Sequence, residues 1–218
     1  MGEVIYLSER LADRTRASVG PAAFFYSLDC PLSYLVAERV ERALGEVEWI
    51  PVVGPLSESS ELLALDERTS LARARLAAAE HEARMLLMPM VEPQRYPMEG
   101  RRASRTAIWA ARHGRGPTYA LAVARLAFCG GFDIASDDVI AEGAAVAGLN
   151  PEHALEAARD FQLDYELEAT AAGLQSRGIS APPAIRIGTR WFHGQDAITS
   201  AVAFSAAARV SSPRMPAS

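Results

Sequence analysis

Ala22-Ala23-Phe24-Phe25-Tyr26-Ser27-Leu28-Asp29-Cys30-Pro31-Leu32-Ser33 passes from an apolar, aromatic run through a sharp turn into a helical pattern. The unbroken apolar run predicts a buried strand over 22–27. Asp29-Cys30-Pro31 forms the turn. From there Leu32, Leu35, Val36, Val40 and Leu44 recur at three- and four-residue spacing, which predicts one helix stopped by Gly45. Residues 46–53 predict a second strand, with Pro51 marking where its regular part ends. A strand, a crossover helix and a second strand favour a parallel pair.

Downstream, no convincing strand appears from 62 to 174. A helix is predicted over 70–87 from its Ala, Leu, Arg and Glu content. Residues 88–100 carry Pro89, Pro93 and Pro97 and read as turns. Helices follow over 103–112 and 118–129, parted by His113-Gly114-Arg115-Gly116-Pro117. Another starts at Ser136 with Asp137 and Asp138 in its first turn, and another is capped by Asn150 and opened by Pro151. A last one covers 164–177. β structure then returns: strands over 184–187 and 190–193 joined by Gly188-Thr189 form a hairpin, and a helix covers 196–208. The order is β-α-β, an all-helical block, then β-β-α, which is an α/β thioredoxin-like core split by a helical insertion. The expected division is an N-terminal extension over 1–20, the core over 21–60 and 178–208, the insertion over 61–177 and a flexible tail over 209–218.

Composition narrows the function classes. Half of the 218 residues are hydrophobic, enough for a packed core, and the net charge of -5 carries no basic stripe for nucleic acid. No apolar run reaches the ~18 residues of a membrane span, and the first residues lack the apolar stretch of a signal peptide. A soluble cytoplasmic protein is expected. Two cysteines, Cys30 and Cys129, make no disulfide framework.

Cys30 stands where a strand hands over to a helix. The first-turn amides of a helix have no internal partners and the dipole is positive there, so a thiolate is stabilised. That placement predicts a thiol lowered from ~8.5 into the range of about 3.5–7.5, with Asp29 opposing the shift as a neighbouring negative charge. Pro31 suits the first helical turn. The fourth residue of Cys30-Pro31-Leu32-Ser33 is Ser33, so no disulfide closes across this turn. The site is left with a mixed disulfide or with a bound thiolate held by hydrogen bonds. The competing reading makes Cys30 a small buried hydrophobe.

The C-terminal run Gly178-Ile179-Ser180-Ala181-Pro182-Pro183-Ala184-Ile185-Arg186-Ile187-Gly188-Thr189-Arg190-Trp191-Phe192-His193-Gly194-Gln195-Asp196 resembles the signature end of the DsbA-like thioredoxin superfamily. Phe24 to Leu35 resembles its strand, active turn and helix. Phe132-Asp133-Ile134 and Gly148-Leu149-Asn150-Pro151-Glu152 resemble its insertion, so the resemblance runs from about Ala22 to Ala208. Two branches compete: thiol-disulfide oxidoreductases with Cys-Pro-x-Cys, and kappa-class glutathione transferases with 2-hydroxychromene-2-carboxylate isomerases, with Ser-Pro-x-Ser. The sequence has the first Cys of one and the last Ser of the other.

The resemblance implies a monothiol oxidoreductase with Cys30 as nucleophile and Ser33 as hydrogen-bond donor to it. The alternatives are a glutathione-dependent isomerase or transferase, and a non-catalytic binding protein. It further implies that Pro183 is a cis proline beside the thiol, and that Pro31, Pro182, Pro183, Gln195 and Asp196 contact substrate or glutathione, with Asp196 at its glutamyl end. Pro182 replaces a residue that is usually Val; its carbonyl remains but its amide donor is lost. Ala184 replaces the common Thr or Phe. No tightly bound cofactor is implied; glutathione or another low-molecular-weight thiol would be a co-substrate. The expected partner is a small thiol or thiol-containing substrate, with neither nucleic acid nor membrane, and a homodimer is the assembly to consider.

Other candidates read as structural. Cys129 falls on an apolar helix face and is expected in the core. His81, His113, His153 and His193 lack metal spacing, and His193 reads as a strand residue. Arg101, Arg102, Arg105, Arg112 and Arg115 read as a solvated helix face.

Overall fold

A computed structural model describes residues 21–54 and 65–211. The expected extension over 1–20 and the end of the chain from 212 lie outside the described residues. So do 55–64, where the insertion was expected to begin.

Four strands form one sheet in the order β2-β1-β3-β4. They are β1 Ala22–Tyr26, β2 Val47–Pro51, β3 Ala184–Ile187 and β4 Arg190–His193. β1 pairs parallel with β2 and antiparallel with β3, which pairs antiparallel with β4. β1 is an inner strand buried on both faces, which explains its unbroken apolar run. Its side chains alternate between two clusters. Phe24 and Tyr26 join Trp49 and the helical block, while Ala23 and Phe25 face Val52, Leu174 and Ile179. The ring of Phe24 meets that of Trp49 edge-on at 5.1 Å between centroids.

The single helix expected after Cys30 is two: α1 Pro31–Ala37 and α2 Val40–Leu44. Arg39 interrupts it with φ -122° and ψ -21°, and its Nε donates to the Leu35 carbonyl at 2.7 Å. Apolar spacing alone cannot show this break, because the buried face continues through both pieces. β2 ends at Pro51, and the Val52 amide donates to the Tyr26 carbonyl.

Between β2 and β3 the described chain is helical: α3 Leu65–Met85, α4 Arg101–Arg112, α5 Gly116–Phe128, α6 Asp137–Val146, α7 Pro151–Arg159 and α8 Asp164–Gln175. The expected caps are in place. Ser136 accepts from the Asp138 amide, and Asn150 accepts from the Glu152 and His153 amides ahead of Pro151. α5 and α6 approach so closely at Gly143 that a Cβ there would lie 2.6 Å from the Val123 side chain. The turn after α8 closes at Gly178, whose φ of 75° lets the Ile179 amide reach back to the Leu174 carbonyl at 3.1 Å. α9 Ala197–Ser211 is the last described element and runs past the expected end at 208. Among the described residues no helix is long and apolar enough to cross a membrane.

The arginines of α4 correct an expectation. Arg105 is buried; its Nε and Nη2 grip the Asp164 carboxylate at 2.8 and 2.7 Å, and its Nη1 donates to the Ala158 carbonyl at 3.1 Å. Arg102 pairs with Asp137, Arg101 with Glu168 and Asp164, and Arg112 with Glu166. Instead of a solvated face, α4 carries a seam of ion pairs that ties it to the acidic starts of α6 and α8. Of the five, Arg112, though paired with Glu166, and Arg115 at the start of α5 are exposed.

Candidate active site around Cys30

β1 ends beneath a tight turn in which the Cys30 amide donates to the Ser27 carbonyl at 3.2 Å. Cys30 is the N-cap of α1, with extended φ of -100° and ψ of 114°, and Pro31 occupies the first helical position. The Cys30 thiol donates to the Pro182 carbonyl at 3.4 Å, across 152 residues of sequence. The Pro182–Pro183 bond is cis, as the resemblance implies, and lies against the thiol. The two halves of the expected site therefore meet. Pro31, Ser33, Pro182 and Pro183 are buried, and Cys30 is part-exposed.

Ser33 works in two directions. Its Oγ accepts from the Ser27 amide at 3.2 Å, which fixes the turn. The Ser33 hydroxyl, the Ser33 amide and the Leu32 amide all favour the Cys30 thiolate. They do not win. Burial pushes the Cys30 thiol up from its ordinary value, and the Asp29 carboxylate adds to the rise. The direction is opposite to the expected lowering: burial and the neighbouring carboxylate outweigh the first-turn amides of a seven-residue helix.

Asp29 is itself perturbed. Burial raises its carboxyl from 3.8 to about 6, against the opposing hydrogen bond donated by the Ser27 hydroxyl. Gly100 covers it so tightly that a Cβ at position 100 would lie 3.3 Å from the Asp29 side chain. Tyr96, in the same loop, is also pushed up by burial and by the charges of Cys30 and Asp29, and Arg75 of α3 pulls both Asp29 and Tyr96 down. The loop before α4 therefore packs against the turn at Asp29, and Arg75 of α3 acts on it electrostatically. Sequence reasoning read residues 88–100 only as turns and missed Tyr96 and Arg75. No local signal marks them, because their place near the turn depends on how the helical block docks.

Gln195 and Asp196 are exposed in the turn between β4 and α9. Among the described residues neither is hydrogen-bonded to the Cys30 group. The link from that turn is Gly194, whose amide donates to the Pro183 carbonyl at 3.2 Å. His193 is an exposed strand end opposite Ala184. Cys129 packs against the core, but its sulfur is not enclosed by it. It contacts the Tyr34 hydroxyl at 3.1 Å and borders a cleft of about 470 Å³ lined also by Arg39, Arg42 and Met88. Both cysteines are free. Among the described residues no group of His, Cys, Asp or Glu could hold a metal ion.

A family profile described as the DSBA-like thioredoxin domain matches residues 23–203, spanning both halves of the site. The chain belongs to the DSBA-like thioredoxin family. Solved structures agree on the fold. A 2-hydroxychromene-2-carboxylate isomerase aligns with a TM-score of 0.72 at 14% identity, covering 88% of this chain and 96% of that one. A probable DsbA oxidoreductase from Streptomyces coelicolor aligns at 0.64 and 16% identity, covering 91% and 93%. The cytosolic disulfide reductase DsbM from Pseudomonas aeruginosa aligns at 0.62 and 13% identity, covering 88% and 96%. A search of curated proteins gives no match. This DSBA-like protein thus shares its fold with oxidoreductases and with an isomerase.

Proposed function

We propose that this DSBA-like protein is a thiol-disulfide oxidoreductase of monothiol type, acting in the cytoplasm. The observation that carries the reading is the Cys30 thiol at the start of α1, bonded to the Pro182 carbonyl, with Ser33 where a second thiol would stand. After losing its proton, Cys30 attacks one sulfur of a disulfide R–S–S–R′. The S–S bond breaks, R′–S⁻ leaves and takes up a proton, and Cys30–S–S–R remains. Ser33 cannot resolve it. A second thiol, glutathione or another low-molecular-weight thiol, attacks that bond, carries R away as a new disulfide and returns Cys30. A solved structure of the DsbM reductase is described as holding GSH, which supports a thiol co-substrate of this kind.

A thiol-exchange assay with and without glutathione tests the reading. Cys30→Ser should abolish turnover, Cys129→Ser should retain it, and omission of the low-molecular-weight thiol should stop the reaction after one equivalent. Exchange that survives Cys30→Ser overturns it.

One observation favours a second reading, a glutathione-dependent isomerase or transferase. The Cys30 sulfur is placed to donate to the Pro182 carbonyl, and burial pushes its thiol up. Turned toward a bound glutathione sulfur, the same S–H would hold that sulfur as the thiolate. The ultraviolet absorbance of a bound glutathione thiolate in Cys30→Ser and wild type separates the two.

A further inference from the structure

We infer that Pro182 sets the substrate class of the Cys30 site, selecting thiols and disulfides whose sulfur is not flanked by an extended peptide backbone. The inference rests on the thiol-exchange reading above. Any sulfur that approaches Cys30 meets the backbone of residue 182, because the Pro182 carbonyl lies 3.4 Å from the Cys30 sulfur. A peptide around a disulfide presents its own N–H and C=O groups there. Extended peptides are ordinarily held by pairing those groups with a protein backbone that offers one donor and one acceptor in turn.

This backbone offers no donor. Pro182 and Pro183 both lack an N–H. The Pro183 carbonyl is occupied by the Gly194 amide at 3.2 Å. From Ala184 the chain is β3, in register with Phe25 of β1 on one side and His193 of β4 on the other. Of the backbone groups of this segment, it is the Pro182 carbonyl that meets the reacting sulfur. A peptide carbonyl laid beside it loses water and gains nothing, whereas an alkyl or aryl disulfide brings no backbone group to leave unpaired and rests on proline rings. The site therefore fits small non-peptide disulfides, and a peptidic thiol such as glutathione is held there less well than its size allows.

Restoring the donor is the test. Exchange rates of the full chain are measured with bis(2-hydroxyethyl) disulfide and with a disulfide of an extended cysteinyl tetrapeptide, for wild type, Pro182→Val and Pro182→Ala. Each variant regains an amide, so an effect common to both belongs to the N–H and not to the new side chain. The ratio of the peptide rate to the alkyl rate should rise about 5–10-fold in both, the value of one neutral hydrogen bond. An unchanged ratio in both variants overturns the inference. A second readout does not depend on turnover: calorimetric binding of reduced glutathione to Cys30→Ser chains with Pro or Val at 182. Binding tightened by the same factor upholds the donor argument even if no disulfide exchanges, in which case the exchange reading alone fails. Equal affinities overturn the inference.

Discussion

The Tyr34 hydroxyl lies 3.1 Å from the Cys129 sulfur, one turn of α1 beyond Cys30. Tyr34 is buried and also donates to the Pro89 carbonyl at 2.9 Å, so this contact is fixed by the core. Cys129 is therefore engaged at Tyr34 and Pro89, while Cys30 is engaged at Pro182. Mild oxidation with a small disulfide should add a mixed disulfide at Cys30 and form no internal bond. Intact mass decides: an increase matching the adduct, lost in Cys30→Ser, is expected. A decrease of about two mass units without an adduct would mean a Cys30–Cys129 bridge and would end the monothiol reading.

Asp29 governs both a pH window and the reactivity of its neighbour. Its folded value of about 6 lies above the ~3.9 of an unfolded Asp. An acid raised on folding adds stability in its protonated form. That contribution is complete below about pH 4 and is lost as pH rises through about 6. Asp29→Asn should keep an acceptor for the Ser27 hydroxyl and flatten stability between pH 4 and 6, as followed by urea midpoints. It should also speed alkylation of Cys30 near neutral pH by about 3–10-fold, because a negative charge beside the thiol is gone. Wild-type alkylation should rise with pH above the range of an ordinary thiol. If Asp29→Asn leaves the alkylation profile where it was, the carboxylate is not what holds the thiol up.

The Cys30 region shows how much of this was legible in sequence. The strand, the turn and Pro31 could be read because apolar runs and proline act locally. The meeting of Cys30 with Pro182 needed the resemblance, since 152 residues separate them. The raised thiol could not be read, because burial depends on how distant parts of the chain pack around the turn, as when Gly100 from a loop read only as turns closes on Asp29. The break at Arg39 was hidden by an apolar face that runs through it. Arg105 was misread because sequence shows that an arginine lies on a helix but not that Asp164 lies opposite it.

Ser33 has a structural role and a chemical one, and two substitutions separate them. Ser33→Ala removes the acceptor of the buried Ser27 amide and should cost about 1–3 kcal/mol of stability. It also removes a hydroxyl that favours the thiolate, so the Cys30 thiol should rise further and exchange near neutral pH should slow about tenfold. Ser33→Thr keeps the hydroxyl and should restore most of the exchange rate. A slow Ser33→Thr with a Cys30 profile like wild type would assign the defect to packing instead. Titration of Cys30 by alkylation in all three chains supplies the comparison.

The Arg105–Asp164 pair should dominate the acid limit of stability. Its geometry is bidentate, both side chains are largely buried, and a third arginine bond to the Ala158 carbonyl leaves little of the guanidinium unpaired. The hydrogen bonds from Arg105 hold the Asp164 carboxyl below its usual value. An acid lowered on folding contributes stability that is present above its unfolded value of ~3.9 and is lost as pH falls through the lower folded value. This window lies below that of Asp29, so the two can be resolved in one pH series. Arg105→Ala should cost about 3 kcal/mol at neutral pH, because it leaves a largely buried carboxylate with only the longer Arg101 contact at 3.5 Å. Arg105→Met combined with Asp164→Leu removes both charges and should recover much of that loss. Denaturant midpoints for the three chains from pH 3 to 7 check the argument. If Arg105→Ala matches wild type at pH 7, the pair does not hold α4 to α8, and the acid sensitivity must come from elsewhere in the seam.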